Sequence, residues 1–271
     1  MKAWLSIVAA FFRRDWRIHR SYRFQALPSI AHAVLQLAPF FFLGRLVDSA
    51  HAKGMEAYGG SYFAFVLLGV ASTRYVGASL SGFAGRLRSE QSEGTLEAVA
   101  LSPAPRSAFL LGTLAWELLW ATVELVVFLA VGVVLFSADL RGANLYAAGL
   151  ALVLGISSLG GIGVLSACSV LIWKEADPAG WALGGLMRIA SGVFFPLAIL
   201  PAWMQPVAHA LPLTPMLEAI RQAVLLGRGP SQLLPQLIGL GVFSLVVWPV
   251  AFFCFEATLV RLRRDGTLNF R

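Results

Sequence analysis

Long apolar runs with no formal charge constrain this chain more than any other feature. Residues 24–44, 142–173 and 229–255 carry none, and neither does a fourth run, 179–187, which continues beyond Arg188 to 217. Two further runs hold only isolated charges: 61–85 contains Arg74, and 107–138 contains Glu117 and Glu124. A helix rises about 1.5 Å per residue, so roughly 20 residues cross a hydrocarbon layer of about 30 Å. Each run is long enough. With 58% hydrophobic and 13% charged residues, against roughly 25% charged in a soluble domain, the chain cannot cover itself with a water-compatible surface. An all-α integral membrane protein with six transmembrane helices is expected.

The net charge of +7 raises nucleic acid as a partner, but the placement of the charges argues against it. Lys2, Arg13, Arg14, Arg17, Arg20 and Arg23 precede the first run, and Arg261, Arg263, Arg264 and Arg271 follow the last. With both termini inside, these join Arg86, Arg88, Arg106 and Lys174 on the inner face. The outer loops then hold Arg45, Lys53, Arg141, Arg221 and Arg228. Fourteen against five is a positive-inside bias that suits an even number of spans. The basic balance therefore reports topology and contact with anionic lipid heads in the cell (inner) membrane. Cys168 and Cys254 both fall inside apolar runs, which suggests buried small hydrophobes rather than a disulfide framework or metal site.

Residues 1–23 start like a signal peptide, but the basic cluster from Arg13 stands where a cleavage site would be. Trp4, Ile7, Val8, Phe11 and Phe12 form one apolar stripe at helical spacing, as in an amphipathic helix lying on the inner leaflet. The spans are expected at 24–47, 61–86, 107–136, 145–173, 181–200 and 234–258. The second helix can continue past the membrane to Glu93, about 50 Å in all. Small residues in the middle of the fourth span (Gly155, Ser157, Ser158, Gly160, Gly161, Gly163) favour close helix packing. Pro196, Pro201, Pro206, Pro212 and Pro215 rule out one continuous helix, and in lipid the freed carbonyls need internal partners. Residues 201–227 are thus read as short helices dipping into the outer leaflet. Leu213, Leu217, Ile220 and Val224 form their apolar stripe, with Glu218, Arg221 and Gln222 off it.

No energy-coupling chemistry is visible within the chain. Its three lysines are followed by Ala3, Gly54 and Glu175, so the phosphate-cradling G-x-x-x-x-G-K-[ST] loop is missing. His19, His32, His51 and His209 are scattered, and no G-x-S-x-G elbow occurs. The inner segment 87–105 is more informative. Gly94 can stop the long second helix, Thr95 can cap a short new one, and Pro103 limits its far end. Glu90, Glu93 and Glu97 make it locally acidic on an otherwise basic face. On physics alone, a partner-binding helix and a solvated connector both fit.

The run Glu93-Gly-Thr-Leu-Glu97, then Leu101-Ser-Pro103 and Leu111-Gly112, resembles the signature region of the type-2 ABC transporter permease family. So does Ser191-Gly-Val-Phe-Phe-Pro196, followed by Leu200-Pro201, Trp203, Leu211-Pro-Leu-Thr214 and Glu218-x-x-Arg221. The resemblance implies that 87–105 is a cytoplasmic coupling helix seated in a separate ABC ATPase subunit. Glu90, Glu93, Gly94, Thr95, Leu96 and Glu97 would form that contact. It further implies that 201–227 are outer re-entrant helices and that 1–23 is the connecting helix on the inner surface. Two permease chains, identical or closely related, would make one exporter with two ATPase chains. No cofactor belongs to this chain by that resemblance; ATP and Mg would bind the partner ATPase.

Arg74, Glu117, Glu124 and Arg188 lie at membrane depth, where ionisable groups are costly and are functional candidates by default. Glu117 and Glu124 are seven residues apart and share a helix face. Either they pair with the arginines or they stand on the substrate path. Phe194 and Phe195 offer an outer gate; lipid contact and packing are the plainer reading. A secondary transporter or channel would show inverted repeats with broken helices, and no convincing internal repeat is visible. A non-transporting assembly subunit fits a coupling-type loop less well.

Overall fold

A helix that is apolar on every side belongs at the centre of a bundle, and α2 (Tyr62–Gly77) is that helix. Thirteen of its sixteen residues are buried, Phe65, Val66 and Leu67 completely. The computed structural model describes residues 26–49, 61–82, 106–173 and 178–264, together with Ala9, Ala10, Phe12, Arg13, Trp16, Arg17, Tyr58, Ala84, Gly85 and Arg88. Around α2 stand α1 (Ala26–Ser49), α3 (Arg106–Val134), α4 (Leu145–Trp173) and α5 (Pro178–Ala190). Two short helices, α6 (Gln205–Ala210) and α7 (Leu213–Leu225), precede the long α8 (Leu234–Arg264). Among the described residues there is no strand.

Five of these helices are long and apolar enough to cross a membrane: α1, α2 with its extension to Gly82, α3, α4 and α8. The fifth expected span, 181–200, is not a continuous helix. Its helical part, α5, has 13 residues and reaches about 20 Å. The helix stops at Ala190 because Gly192 takes φ +73°, a conformation that glycine adopts without steric cost. A turn then leads to Pro196 and a short 3-10 stretch, Leu197–Ile199. Pro206 sits in the first turn of α6, and Pro212 caps α7. The prolines therefore stand where a missing amide costs no helical bond.

The outward faces identify the solvent. Leu35, Phe42 and Leu46 on α1, Val123 and Val126 on α3, and Leu245, Val246 and Phe253 on α8 are all exposed. Apolar surface on that scale is tolerated against lipid but not against water. The small residues of α4 do allow close approach. A side chain on Gly155 would collide with Met216 of α7, one on Gly161 with Val247 of α8, and one on Gly163 with the Ser79 carbonyl. Ser158 Oγ meets Ser244 Oγ at 2.9 Å, and Trp248 Nε1 donates to Ser157 Oγ at 3.1 Å, fastening α4 to α8.

Past Gly77 the α2 backbone widens into a π-helical turn, Ala78–Gly82, a form frequent at functional sites. Ala84, Gly85 and Arg88 are helical beyond it. In the N-terminal segment the described residues are helical, and the rings of Phe12 and Trp16 meet Trp116 of α3 edge-on at 5.3 and 6.4 Å.

Candidate functional site

Helices α2 and α3 are joined by polar contacts, one of which involves the intramembrane Arg74 and Glu124. Tyr75 donates its hydroxyl to Thr122 Oγ1 at 2.9 Å, and Thr122 donates to the Leu118 carbonyl one turn back. One position earlier on α2, Arg74 Nε donates to Glu124 Oε2 at 2.5 Å. The Arg74 guanidinium also lies 5.5 Å from the centroid of Phe128, one turn beyond Glu124. Of the two carboxylates expected to answer Arg74, the structure pairs it with Glu124.

All four intramembrane charges line one cavity of about 250 Å³, walled by Arg74, Glu117, Glu124 and Trp120, and by Arg188 from α5. The missing side chains of two glycines make the room. Glu117 Oε2 lies 2.9 Å from where a side chain on Gly82 would begin, and Arg188 Nη2 lies 4.0 Å from the same point on Gly77. A second cavity of about 320 Å³ opens between α1 and α3 on the other flank of the Arg74–Glu124 pair, beside Pro28, His32 and Phe128. The ion pair is thus the partition between two polar hollows.

A second polar centre lies at the far end of α2 and was absent from the sequence-derived site. Arg221 of α7 is 3% exposed. Its Nε donates to the Phe65 carbonyl at 3.2 Å, Nη1 to Gly192 O at 2.8 Å and Nη2 to Val193 O at 2.9 Å. Its guanidinium stacks 3.4 Å from the centre of the Phe65 ring. Gly69 permits this approach, since a side chain there would strike Arg221 Nη2 and the Val193 carbonyl. Glu218, one turn earlier on α7, accepts from Tyr58 OH at 2.7 Å and from Gln222 Nε2 at 2.5 Å. Burial, then the hydrogen bond to Glu218 and its charge, push the Tyr58 hydroxyl well above its ordinary range, so Tyr58 stays a donor.

The apolar stripe of α7 is buried as expected, at Leu213, Leu217, Ile220 and Val224. Arg221 and Gln222, read as lying off that stripe, are buried too. The reason is that the broken backbone after α5 needs donors, and the long guanidinium reaches it. The signal was present in Glu218-x-x-Arg221, a spacing that puts an acid and a base on one face. Phe194 is half-buried and stacks on Phe40 with ring centres 5.4 Å apart, and Phe195 is half-buried beside it. Glu90, Glu93, Gly94, Thr95, Leu96 and Glu97 lie outside the described residues. Among the described residues no cluster of His, Cys, Asp and Glu is arranged to hold a metal.

No curated protein matches the sequence. The ABC-2 type transporter family does, over residues 2–225, which take in every element from the N-terminal segment to the end of α7. The chain belongs to the ABC-2 type transporter family and is a multi-pass transmembrane permease.

Proposed function

We propose that this permease is the membrane subunit of an ATP-driven exporter, in which two such chains form the pathway and separate ATPase subunits bind ATP and Mg. The observation that carries the reading is the family match over residues 2–225, which embraces the acidic segment 87–105 as well as the bundle. That segment's Glu90, Glu93 and Glu97 interrupt an otherwise basic face, so a basic protein partner explains them better than anionic lipid does.

The fourteen-to-five distribution of Lys and Arg supports cytoplasmic termini. Six crossings then require α5 and the turn after it to reach the outer face together. The turn at 191–195 and the 3-10 stretch Leu197–Ile199 would then complete the path begun by α5. Irregular backbone is tolerated at membrane depth only where protein groups satisfy it, and Arg221 does so at Gly192 and Val193. Residues 201–227 are then the outer re-entrant helices, and 1–23 is the inner connecting helix.

Native mass spectrometry of the complex purified with its ATPase tests the assembly. Two permease chains and two ATPase chains are expected. A transport-competent complex containing one permease chain would refute the paired pathway.

A further inference from the structure

We propose that the cavity between α2, α3 and α5 is a binding site for a phosphate-type anionic head group, with Arg188 as its principal cation. This rests on the exporter reading in treating the bound amphiphile as cargo, and it assigns that cargo a chemical class.

The charges lining the cavity decide the sign of the ligand. Arg74 and Glu124 neutralise each other through a direct hydrogen-bonded pair. Glu117 has a partner of its own. Among the described residues Arg188 makes no hydrogen bond or ion pair, although it lines the same cavity. Arg188 stands exposed in the last turn of α5, and at membrane depth an uncompensated charge is costly. The open donors are those of Arg188, and both carboxylates already have partners. An anion therefore fits, whereas a cationic or zwitterionic head would find no free acid. A guanidinium presents its donors in a planar fork that matches phosphate oxygens.

Size and setting decide what carries the anion. About 250 Å³ falls below the 300–1,000 Å³ or so typical of sites that enclose a drug-sized molecule. The cavity holds a head group while the remainder stays outside. Trp181, Leu186 and Ile189 expose an apolar face on α5 beside Arg188, which suits a hydrocarbon tail left in the lipid.

The test uses the full-length permease with its ATPase, examined by native mass spectrometry from micelles doped with equal amounts of phosphatidylglycerol and phosphatidylcholine. The wild type is expected to retain phosphatidylglycerol preferentially. Arg188→Gln should reduce that preference about ten-fold, and Arg188→Lys should keep part of it. A parallel arm adds inorganic phosphate without lipid: Arg188-dependent binding there alone would assign the site to a soluble phosphate, and Arg188-dependent lipid retention assigns it to an amphiphile. Equal binding of both probes by wild type and Arg188→Gln would overturn the proposal.

Folding is read on the same samples. Because Arg188 has no hydrogen bond or ion pair among the described residues, Arg188→Gln should leave the thermal midpoint unchanged or raised, whereas Arg74→Gln lowers it. A lowered midpoint in Arg188→Gln would mark a structural cation and also overturn the proposal. Binding is measured without transport, so loss of lipid preference and loss of ATP coupling are separate failures.

Discussion

Two arginines with the same side chain have different energetic roles, and their surroundings show why. Arg221 directs three donors at three backbone carbonyls and is buried against Phe65. Removing it leaves the Gly192 and Val193 carbonyls without donors and strips Glu218 of its neighbouring cation. Such groups cost about 1–3 kcal/mol each when buried and unpaired, and a broken buried charge contact about 3–5 kcal/mol. Arg74 makes one ion pair beside two cavities, with both side chains roughly a quarter exposed. Polar contacts between membrane helices average below about 1 kcal/mol. Arg221→Met should therefore destabilise the solubilised protein by about 3 kcal/mol or more, and Arg74→Met by about 1 kcal/mol. Thermal unfolding of the two variants under one condition compares them; an equal or reversed order would show that the clamp on the turn contributes little.

At the scale of elements, α5 is where sequence and structure part. Apolar length predicted a span over 181–200, but periodicity and composition do not register where a backbone turns left-handed; Gly192 does so and ends the helix ten residues early. The α4 boundaries, 145–173, were legible because turn residues flank an unbroken apolar run. The small residues of α4 were legible as packing positions for the same reason, though not their partners Met216, Val247 and Ser79. The four charges that line the cavity stood out in sequence because each interrupts an apolar run. The burial of Arg221 was not: charge counting places an arginine near proline breaks in a loop, and only the fold brings Phe65, Gly192 and Val193 around it. If α5 and the turn together cross the membrane, a cysteine replacing the exposed Trp203 should react with an impermeant thiol reagent from outside intact cells. A cysteine at Ser92 should not. Labelling of both from the same side would remove the odd crossings between them and reject the six-span path.

At the scale of the whole molecule, the bundle is organised by α2, which carries polar contacts toward both ends. Near Tyr62 it meets the Arg221 centre and the aromatic group of Phe41, Phe63 and Phe136. Near Gly82 it meets the charged cavity and then leads toward the acidic segment. A displacement of that segment would act on α2 and α3 together, because the Arg74–Glu124 and Tyr75–Thr122 contacts tie them. This linkage supports coupling through the loop that joins the two helices.

The proposed exporter is driven by a separate ATPase through residues 87–105. Individual rim ion pairs are weak, so the informative variant reverses two charges at once, Glu93→Lys with Glu97→Lys. Transport and substrate-stimulated ATP hydrolysis are measured in membranes containing both subunits. The double variant is expected to insert at wild-type levels while both activities fall at least about ten-fold, with weakened retention of the ATPase. Wild-type transport and ATPase association in the double variant would contradict it.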